Sequence, residues 1–584
     1  MVRRVAGLAG GAPGTTWRRA VDGGGLPLCA VSHSERGCGV TAPHGEPLRS
    51  CPSARTRPSG DVRPGYPMSI SRIGIGLFLL VSACAMGLFE LAVTPPVWWD
   101  EGWTLCVARQ WVETGHYGCL LNGEPAPPIL AGHFPVVASI AAGFRLLGVG
   151  VWQARFVELL YALGALGCLY YLTLKLFSRD VALGTLAILL FIPGNWGMHP
   201  LIIGRQVLGE MPMLCFFLAG SVCLLLVDRH PVWWGGALGC WGVALMSKAQ
   251  IRPFFTLALL MSSLLAALRG ERRIAGLLTG SAAGSWVVMY GLNGLRSLAL
   301  EGHTLPNPPM PGLLQVSALV LVPTIRLDAL WFTLRFCLPT ICGLSHGVWT
   351  MYVQWRSRVE FTLTDAVRTM LLTFALSWFG WFFLLSLGGA RYAFPAWFVS
   401  TPFFLALLYE WSQGYDLRET ARSIWSGFRA GQARMPGIKS LAVVSLVLLC
   451  LWTAVTARYA FRGREDGRAL QEVVTYLHSR VPNHALIETY ESELLFLLNR
   501  RYHYPPAQLN VDFIPQMWKK ERHLTYDALE ADPDYVVVGE FGRWAGIYRT
   551  LINTGQVRLI LQVGRYQVYE RVRSSGAVSG ALAQ

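Results

Sequence analysis

The stretch MSISRIGIGLFLLVSACAMGLFELAVTPPVWWDE, residues 68–101, joins a long apolar run to a charged corner. About 20 apolar residues span the hydrocarbon core of a bilayer, so the run at 73–93 predicts a membrane-spanning helix. A Pro-Pro pair and two Trp then lead into adjacent carboxylates, Asp100 and Glu101. Carboxylates at the edge of a membrane are costly unless they are used or hydrated. The stretch therefore predicts a membrane helix followed by a loop whose two carboxylates are candidate functional residues.

The rest of the chain repeats this pattern of apolar runs. Of its 584 residues, 53% are hydrophobic and 15% charged, against about 25% charged in an average soluble domain. This composition excludes a soluble globular protein, a disordered chain and a disulfide-knit secreted module. It predicts an α-helical polytopic membrane protein with about eleven transmembrane helices. The further runs lie near 156–177, 181–198, 209–227, 232–247, 251–268, 274–294, 329–352, 367–387, 392–411 and 438–457.

Two shorter apolar pieces, 132–148 and 312–325, do not by themselves indicate whether they cross the membrane. The distribution of basic residues favours a topology in which 132–148 does not cross, because the basic loops at 269–273 and 412–439 are then cytoplasmic. We therefore expect eleven spans in a bacterial inner membrane, with the N-terminus cytoplasmic and the C-terminal part extracytoplasmic.

The N-terminal residues 1–67 differ in composition from the rest of the chain. They are rich in Gly, Pro, Ser and Arg, and nine Arg against four acidic residues give them +5 of the net charge of +15. Such a segment buries too little apolar surface to fold, and it lacks the apolar core of a signal sequence. An over-extended gene start is favoured over a targeting peptide. Much of the remaining charge lies in loops, so no nucleic-acid partner is predicted.

The C-terminal residues 458–584 have a soluble composition. Strand-like runs alternate with helical patterns, which predicts a small extracytoplasmic α/β domain after a membrane domain at 68–457. We expect this domain to recognise an acceptor or to cap the outer face. The strand-like runs are 485–490, 535–538, 557–563 and 566–569, and the helical patterns are 492–499 and 546–553.

The first external loop, 94–131, contains a further helical pattern. From Glu101 onward, Trp103, Val107 and Trp111 recur every four residues, which predicts a helix lying in the membrane interface. This helix would hold Asp100 at the lipid–water boundary. The alternative is that Asp100 only caps the helix, and the two interpretations are compatible. Cys106 and Cys119 share this loop, where free thiols are favoured over a disulfide.

A second acidic corner precedes the predicted helix at 209–227. Glu210 begins this helix and would point into a cavity rather than into lipid; the alternative is again a cap, since a Pro lies in the first turn. Asp100 and Glu210 could divide a proton transfer and a cation contact. The sequence leaves open a divalent cation near either residue and indicates no other cofactor.

Basic residues lie on the external side that the positive-inside rule depletes. Arg and Lys near the interface bind phosphate, and this function is favoured over snorkelling of the side chains to the membrane surface. The predicted phosphate-binding residues are Arg205, Lys248, Arg252 and Arg391.

The order of these features along the chain resembles the polyprenyl-phosphate-sugar-dependent glycosyltransferases of the GT-C superfamily, glycosyltransferase family 39. That family includes protein O-mannosyltransferases, the aminoarabinose transferase of lipid A and galacturonic-acid transferases. The likeness covers about 68–411. It rests on the first span, the acidic pair of the first external loop, the interfacial helix, the element His133-Phe134-Pro135-Val136 and the turn with Gly150, Trp152 and Arg155.

This resemblance implies roles for individual residues. Asp100 is the implied catalytic carboxylate, with Glu101 beside it, and His133 is implied to bind substrate. Glu210 stands where the family usually has a second acid, often Asp. The basic positions implied to hold the donor phosphate are Arg205, Lys248 and Arg391.

The implied activity is transfer of a sugar from a polyprenyl-phosphate donor to a lipid, glycan or protein acceptor outside the cytoplasm. Asp100 would act as the general base and the anomeric centre would invert. A flippase or transporter of polyprenyl-linked glycan is the main alternative, although no internal repeat is visible. A glycan polymerase or ligase is the other. No nucleotide-binding phosphate loop is present.

Overall fold

The computed structural model describes residues 70–357, 359–416, 419, 422, 426, 437–519 and 526–573. The predicted leader, residues 1–67, lies outside the described residues, as does much of the basic loop at 412–439.

Helices dominate the described residues before 480. Each of the eleven predicted spans overlaps a helix. The helices are α1 Ile70–Leu88, α2 Trp99–Thr114, α3 Phe134–Leu147, α4 Val151–Leu176, α5 Arg179–Phe191, α6 Pro200–Ile203, α7 Glu210–Leu225, α8 Val232–Ser247, α9 Ile251–Leu268, α10 Arg272–Ala299, α11 Leu313–Ser317, α12 Pro323–Phe332, α13 Leu338–Arg356, α14 Leu363–Leu385, α15 Ala390–Trp411 and α16 Gly437–Arg480.

Six stretches of helix within the described residues are long and apolar enough to cross a membrane, which confirms a multi-pass membrane protein. They correspond to α4, α9, α10, the continuous stretch Pro323–Arg356, α14 and α15. The number of eleven spans stays a prediction. Of the two ambiguous pieces, 132–148 forms α3, which packs on α2, whereas 312–325 is broken between α11 and α12.

The membrane helices pack through small residues where their backbones meet. On α13, a Cβ at Gly343 would lie 2.3 Å from the backbone nitrogen of Phe404 on α15. Only glycine allows this approach, as is common between membrane helices. The core around α7, α8, α9 and α14 is filled by buried aromatic side chains, with the rings of Phe217 and Phe374 stacked 4.4 Å apart.

The C-terminal domain is a five-stranded mixed sheet with short helices, as the α/β prediction expects. Its strand order is β4-β3-β5-β7-β6, parallel from β4 to β5 and antiparallel from β5 to β6. The sequence did not predict β4, α18 or α19. The strands are β3 Ile487–Thr489, β4 Tyr502–His503, β5 Tyr535–Val538, β6 Val557–Val563 and β7 Tyr566–Arg571; the helices are α17 Glu493–Leu498, α18 Gln508–Lys519, α19 Glu540–Ala545 and α20 Arg549–Asn553. A separate hairpin follows α2, with β1 Cys119–Leu121 and β2 Glu124–Ala126.

The long helix α16 connects the membrane helices to this domain without a break. The boundary predicted at 457/458 therefore falls inside one helix. Residues 470–480 of α16 place Leu470, Val473 and Leu477 in the core of the C-terminal domain. A continuous helix, rather than a flexible linker, thus connects the membrane helices to the C-terminal domain.

The predicted helix of the first external loop forms as α2, but its Trp-bearing face does not lie on lipid. Trp103 and Val107 are fully buried, and the Trp103 ring packs edge-on against Tyr504 of the C-terminal domain at 4.9 Å. The sequence period alone could not distinguish a lipid surface from a protein surface as the partner of this face. Cys106 and Cys119 nearby are buried free thiols.

Candidate active site

The C-terminal domain fixes the first turn of α2. The hydroxyl of Ser492 donates to the Trp99 carbonyl, and the Trp99 indole N–H donates to the Tyr490 carbonyl at 3.0 Å. A Cβ at Gly102 would lie 2.5 Å from the backbone of Ser492 and Glu493, so the close contact requires glycine. These contacts set the rotation of α2 and hence the direction of Asp100.

Glu491 holds in place the segment of the C-terminal domain that contacts α2 through Tyr490 and Ser492. Its fully buried carboxylate accepts hydrogen bonds from the backbone N–H groups of Gly539, Phe541 and Gly542. Burial, with Glu493 nearby, raises the pKa of Glu491 to about 8.

Glu101, the neighbour of Asp100, is sealed inside the protein. Its carboxylate is fully buried and makes a bidentate pair with Arg155 on α4, with both N–O distances 2.8 Å. Arg155 also donates to the carbonyls of Leu91 and Pro95. Glu101 accepts from the Trp98 backbone N–H, so it is Glu101, not Asp100, that caps the start of α2.

Asp100 instead lines a cavity of about 850 Å³, here called the Asp100 cavity. The loop before α3, the starts of α7 and α15, the α8–α9 turn, the end of α14 and the segment 313–319 form its walls. The predicted site residues that line it are Asp100, His133, Glu210, Lys248 and Arg391.

The charged side chains of this cavity form a connected chain. The Arg391 guanidinium lies 2.5 Å from the Asp100 carboxylate through Nη1 and 2.9 Å from Oε1 of Glu210 through Nε. Lys248 Nζ lies 2.7 Å from the same Glu210 oxygen. The Asp100 side chain is 32% exposed, whereas that of Glu210 is 1% exposed. Asp100 is thus the accessible acid, and Glu210 holds the two cations in place.

Neutral polar groups complete the cavity wall. Nε2 of His133 accepts a hydrogen bond from the Ala249 backbone N–H at 3.3 Å, so this ring nitrogen carries a lone pair. The Thr104 hydroxyl donates to the Asp100 carbonyl and accepts from the Gly132 N–H, which ties α2 to the loop before α3. His133 therefore acts on the wall as a neutral group in this arrangement.

Three predicted site residues lie away from the Asp100 cavity. Glu101 is sealed against Arg155. Arg252, in the first turn of α9, donates from Nε to the Leu245 carbonyl on α8. Arg205 donates to the carbonyls of Gly87 and Thr94 and lines a second cavity.

The structure also places residues at the site that the sequence reasoning did not select. Arg155 was noted only as part of a family-like turn, yet it holds both ends of the loop that carries Asp100. Glu158, one turn further along α4, is fully buried with neither carboxylate oxygen hydrogen bonded. An acid inside a predicted span was the available signal for Glu158. The apolar segment 313–319 lines the Asp100 cavity without any diagnostic motif.

The side chains that the structure describes do not form a protein cage for a metal ion. Within the described ranges, no three His, Cys, Asp or Glu side chains cluster as ligands would. Asp100 and Glu210 each already face a cationic side chain, which balances the charge of the carboxylate.

The chain is similar to known proteins in part of its sequence and in its fold. Residues 132–285 match the family model described as dolichyl-phosphate-mannose-protein mannosyltransferase. No curated protein sequence matches the chain.

Among solved structures, the chain is similar to ArnT from Cupriavidus metallidurans bound to undecaprenyl phosphate, with a TM-score of 0.56, 15% identity and coverage of 86% of this chain and 98% of that chain. The apo state of ArnT gives a TM-score of 0.54 and 16% identity over the same shares. The Archaeoglobus fulgidus oligosaccharyltransferase in the apo form gives 0.49 and 11%, covering 80% and 69%. The chain therefore has an ArnT-like GT-C fold, and the resemblance seen in the sequence is confirmed.

Proposed function

We propose that this protein is a membrane glycosyltransferase that moves a sugar from a polyprenyl-phosphate donor to a lipid, glycan or protein acceptor. In this proposal, residues 68–457 form the catalytic membrane domain of a bacterial inner-membrane protein, and residues 458–584 form a domain outside the cytoplasm. The single observation that carries the proposal is the Asp100 cavity, where an accessible carboxylate meets Lys248 and Arg391 at the edge of the membrane helices.

The walls of the Asp100 cavity suit a lipid-linked phosphate. Apolar side chains such as Phe254, Leu314 and Leu384 line one part, and Lys248 and Arg391 lie in another. A prenyl chain would contact the apolar part while the phosphate meets the cations, and Arg can bind phosphate in a bidentate manner. The structure of ArnT with undecaprenyl phosphate supports this choice, because that protein shares the fold.

The arrangement supports a single displacement at the anomeric carbon. An acceptor hydroxyl or amine gives its proton to Asp100 while its oxygen or nitrogen forms the new bond to the anomeric carbon. The bond from that carbon to the phosphate oxygen breaks, and the electron pair leaves on the polyprenyl phosphate. Lys248 and Arg391 stabilise the charge that builds on the leaving oxygen. Attack opposite the leaving group inverts the anomeric centre.

The test is transfer of a radiolabelled sugar from a polyprenyl-phosphate donor to a bacterial envelope extract by the purified full chain. Asp100→Asn should lower the rate by about 10²–10⁴-fold, the usual contribution of a general base. Its elution volume and melting temperature should match those of the wild type.

The matched control is Asp180→Asn. Asp180 pairs with Arg72 on the surface near the other end of α1, so its loss should leave transfer unchanged. Wild-type transfer by Asp100→Asn would contradict the proposed base, and absence of transfer in the wild type together with donor translocation across vesicles would favour the flippase.

A further inference from the structure

Two thiols meet where the first external loop folds back on itself. Cys106 lies in the middle of α2, and Cys119 begins strand β1 of the hairpin that follows α2. In this reduced form the Cys119 thiol shares a hydrogen bond with the Cys106 thiol. Cys106 is 2% exposed and Cys119 is fully buried, so the contact lies inside the protein. Cysteines that meet across two elements are candidates for a disulfide, because the bond requires closely placed sulfur atoms.

Other contacts hold the hairpin in this position. The Asn122 backbone N–H at its tip donates to the Tyr502 carbonyl of β4 in the C-terminal domain. Just before β1, the Tyr117 backbone N–H donates to the His303 carbonyl in the segment after α10, at 2.7 Å. The hairpin is therefore positioned independently of its cysteine, and the two thiols meet because of that packing.

Another pair of contacting thiols lies in the membrane helices. Cys223, in the last turn of α7, shares a hydrogen bond with Cys240 of α8. If the first external loop lies outside the cytoplasm, as in the proposed function, the end of α7 lies on the cytoplasmic side. Thiols stay reduced in the cytoplasm, whereas disulfides form in oxidising compartments outside it. Position relative to the membrane, rather than contact alone, therefore distinguishes these pairs.

We propose that Cys106 and Cys119 form a disulfide bond in the native protein and thereby join α2 to the hairpin. This inference rests on the proposed function at one point, the location of the first external loop outside the cytoplasm. The closed loop, 106–119, restricts the unfolded chain and so stabilises the folded state. The bond would hold α2 about two helical turns beyond Asp100.

The bond forms by exchange with the disulfide of an oxidised dithiol carrier outside the cytoplasm. The thiolate of one cysteine attacks a sulfur of the carrier, and the other carrier sulfur leaves as a thiolate. The second cysteine loses its proton, attacks the mixed disulfide and releases the carrier as a dithiol. The cysteines lose two protons and two electrons in total, and the carrier gains them.

This exchange must precede the packing of α2 against the hairpin. Burial raises the pKa of the Cys119 thiol well above its ordinary value, and the thiolate is the reactive form. The folded protein therefore presents no reactive sulfur at this place, and the bond belongs to the folding of the loop.

The first experiment assigns the redox state of each thiol in the full chain. Membranes from a bacterial host are quenched in acid and denatured with light N-ethylmaleimide; disulfides are then reduced and labelled with the heavy reagent. In mass spectra, Cys106 and Cys119 should carry the heavy label in most molecules. An unreduced digest should contain the peptide pair linked through these two residues. Cys223 and Cys240 are the matched control and should carry the light label.

Each other labelling pattern contradicts the proposal. Light label on Cys106 and Cys119 would overturn the disulfide. Heavy label without the linked peptide pair would mean that each cysteine is bonded to a different partner. Heavy label on Cys223 and Cys240 as well would mean that oxidation follows contact alone, and would overturn the assignment to a native bond outside the cytoplasm.

The second experiment measures melting temperatures in detergent. Cys106→Ala and Cys119→Ala should each lower the melting temperature by several degrees, and the double variant by no more, because loss of either sulfur removes the whole bond. Wild type from a host without the dithiol carrier should melt like this double variant. Single losses that add up in the double variant, or wild type that melts alike from both hosts, would overturn the bond.

The matched control for the second experiment is Cys223→Ala combined with Cys240→Ala. This variant keeps the proposed bond, so its melting temperature should respond to the host as that of the wild type does. Neither experiment requires sugar transfer. A disulfide in a chain without transferase activity would contradict the proposed function and leave this inference intact, whereas free thiols in an active transferase would do the reverse.

Discussion

Asp100 and Glu101 are neighbours in the chain, yet their side chains differ in solvent exposure and in the cation that each one pairs with. Asp100 lies on an open cavity of about 850 Å³ with a third of its side chain exposed, facing Arg391. Glu101 is fully buried and clamped by both arms of Arg155. A rotation of about 100° per residue around α2 is enough to separate them. An open, partly hydrated charge can exchange partners during a reaction, whereas a sealed pair holds the backbone.

The largest structural effect should come from the sealed side of this comparison. Glu101→Gln leaves the Arg155 guanidinium buried without its counter-charge, which typically costs about 3–5 kcal/mol. The yield of folded protein and its melting temperature in detergent should both fall sharply. Arg155→Met combined with Glu101→Gln should recover part of the loss, because the uncompensated charge is gone. If Glu101→Gln alone were as stable as the wild type, Glu101 would not be the structural carboxylate of the two.

A smaller effect should follow from loosening the rotation of α2. Gly102→Ala places a Cβ 2.5 Å from the backbone of Ser492 and Glu493, so one of the two elements must shift. Forced overpacking of this kind costs about 1–3 kcal/mol. Hydrogen exchange of residues 486–498 should rise, and transfer should fall because Asp100 turns away from Arg391.

The control for this prediction is Gly276→Ala on α10, where a Cβ meets nothing within 4 Å. Alanine in a helix is slightly favoured over glycine, so this variant should be as stable as the wild type or marginally more so. Equal hydrogen exchange in both variants would show that the contact with Ser492 does not set the rotation of α2.

The smallest effect concerns the pH dependence of stability that Glu491 causes. Glu491 holds the segment of the C-terminal domain that contacts α2. Because burial raises the pKa of Glu491 to about 8 in the folded state, folding favours its protonated form. This contribution to stability is complete below the unfolded pKa of about 4.3 and is lost as the pH rises through about 8.

Melting temperatures of the wild type and Glu491→Gln between pH 5 and pH 9 check this sign. The wild type should lose more stability than the variant as the pH rises, since Gln carries no proton to lose. Parallel curves would remove Glu491 from the pH response and leave it as a neutral or permanently charged anchor.

Much of this molecule follows from local sequence. Apolar length predicts where the membrane helices lie, because the bilayer sets that length. Runs such as 535–538 and 557–563 predict strands of the C-terminal sheet, whereas β4, with two residues, is too short to leave a pattern. Charges in costly positions point to Asp100, Glu210, Lys248 and Arg391, which the fold brings to one cavity.

What the sequence could not predict depends on contacts between distant segments. The Trp103 face of α2 meets Tyr504, about 400 positions away, and no periodicity indicates that partner. Arg205 has the same local signature as Lys248, but the path of the chain before α7 turns it towards Gly87 and Thr94. The different surroundings of Asp100 and Glu101 likewise depend on Arg155, which α4 supplies.

The most direct test of the division between these two carboxylates measures transfer per folded molecule in Asp100→Asn and Glu101→Gln side by side. Both variants are purified as the full chain, quantified as the monodisperse fraction and assayed with a polyprenyl-phosphate sugar. Asp100→Asn should yield wild-type amounts of folded protein with transfer reduced at least about a hundredfold, and Glu101→Gln should yield little folded protein whose specific activity stays within a few-fold of the wild type. Full activity in Asp100→Asn, or a stable Glu101→Gln protein without activity, would contradict this account.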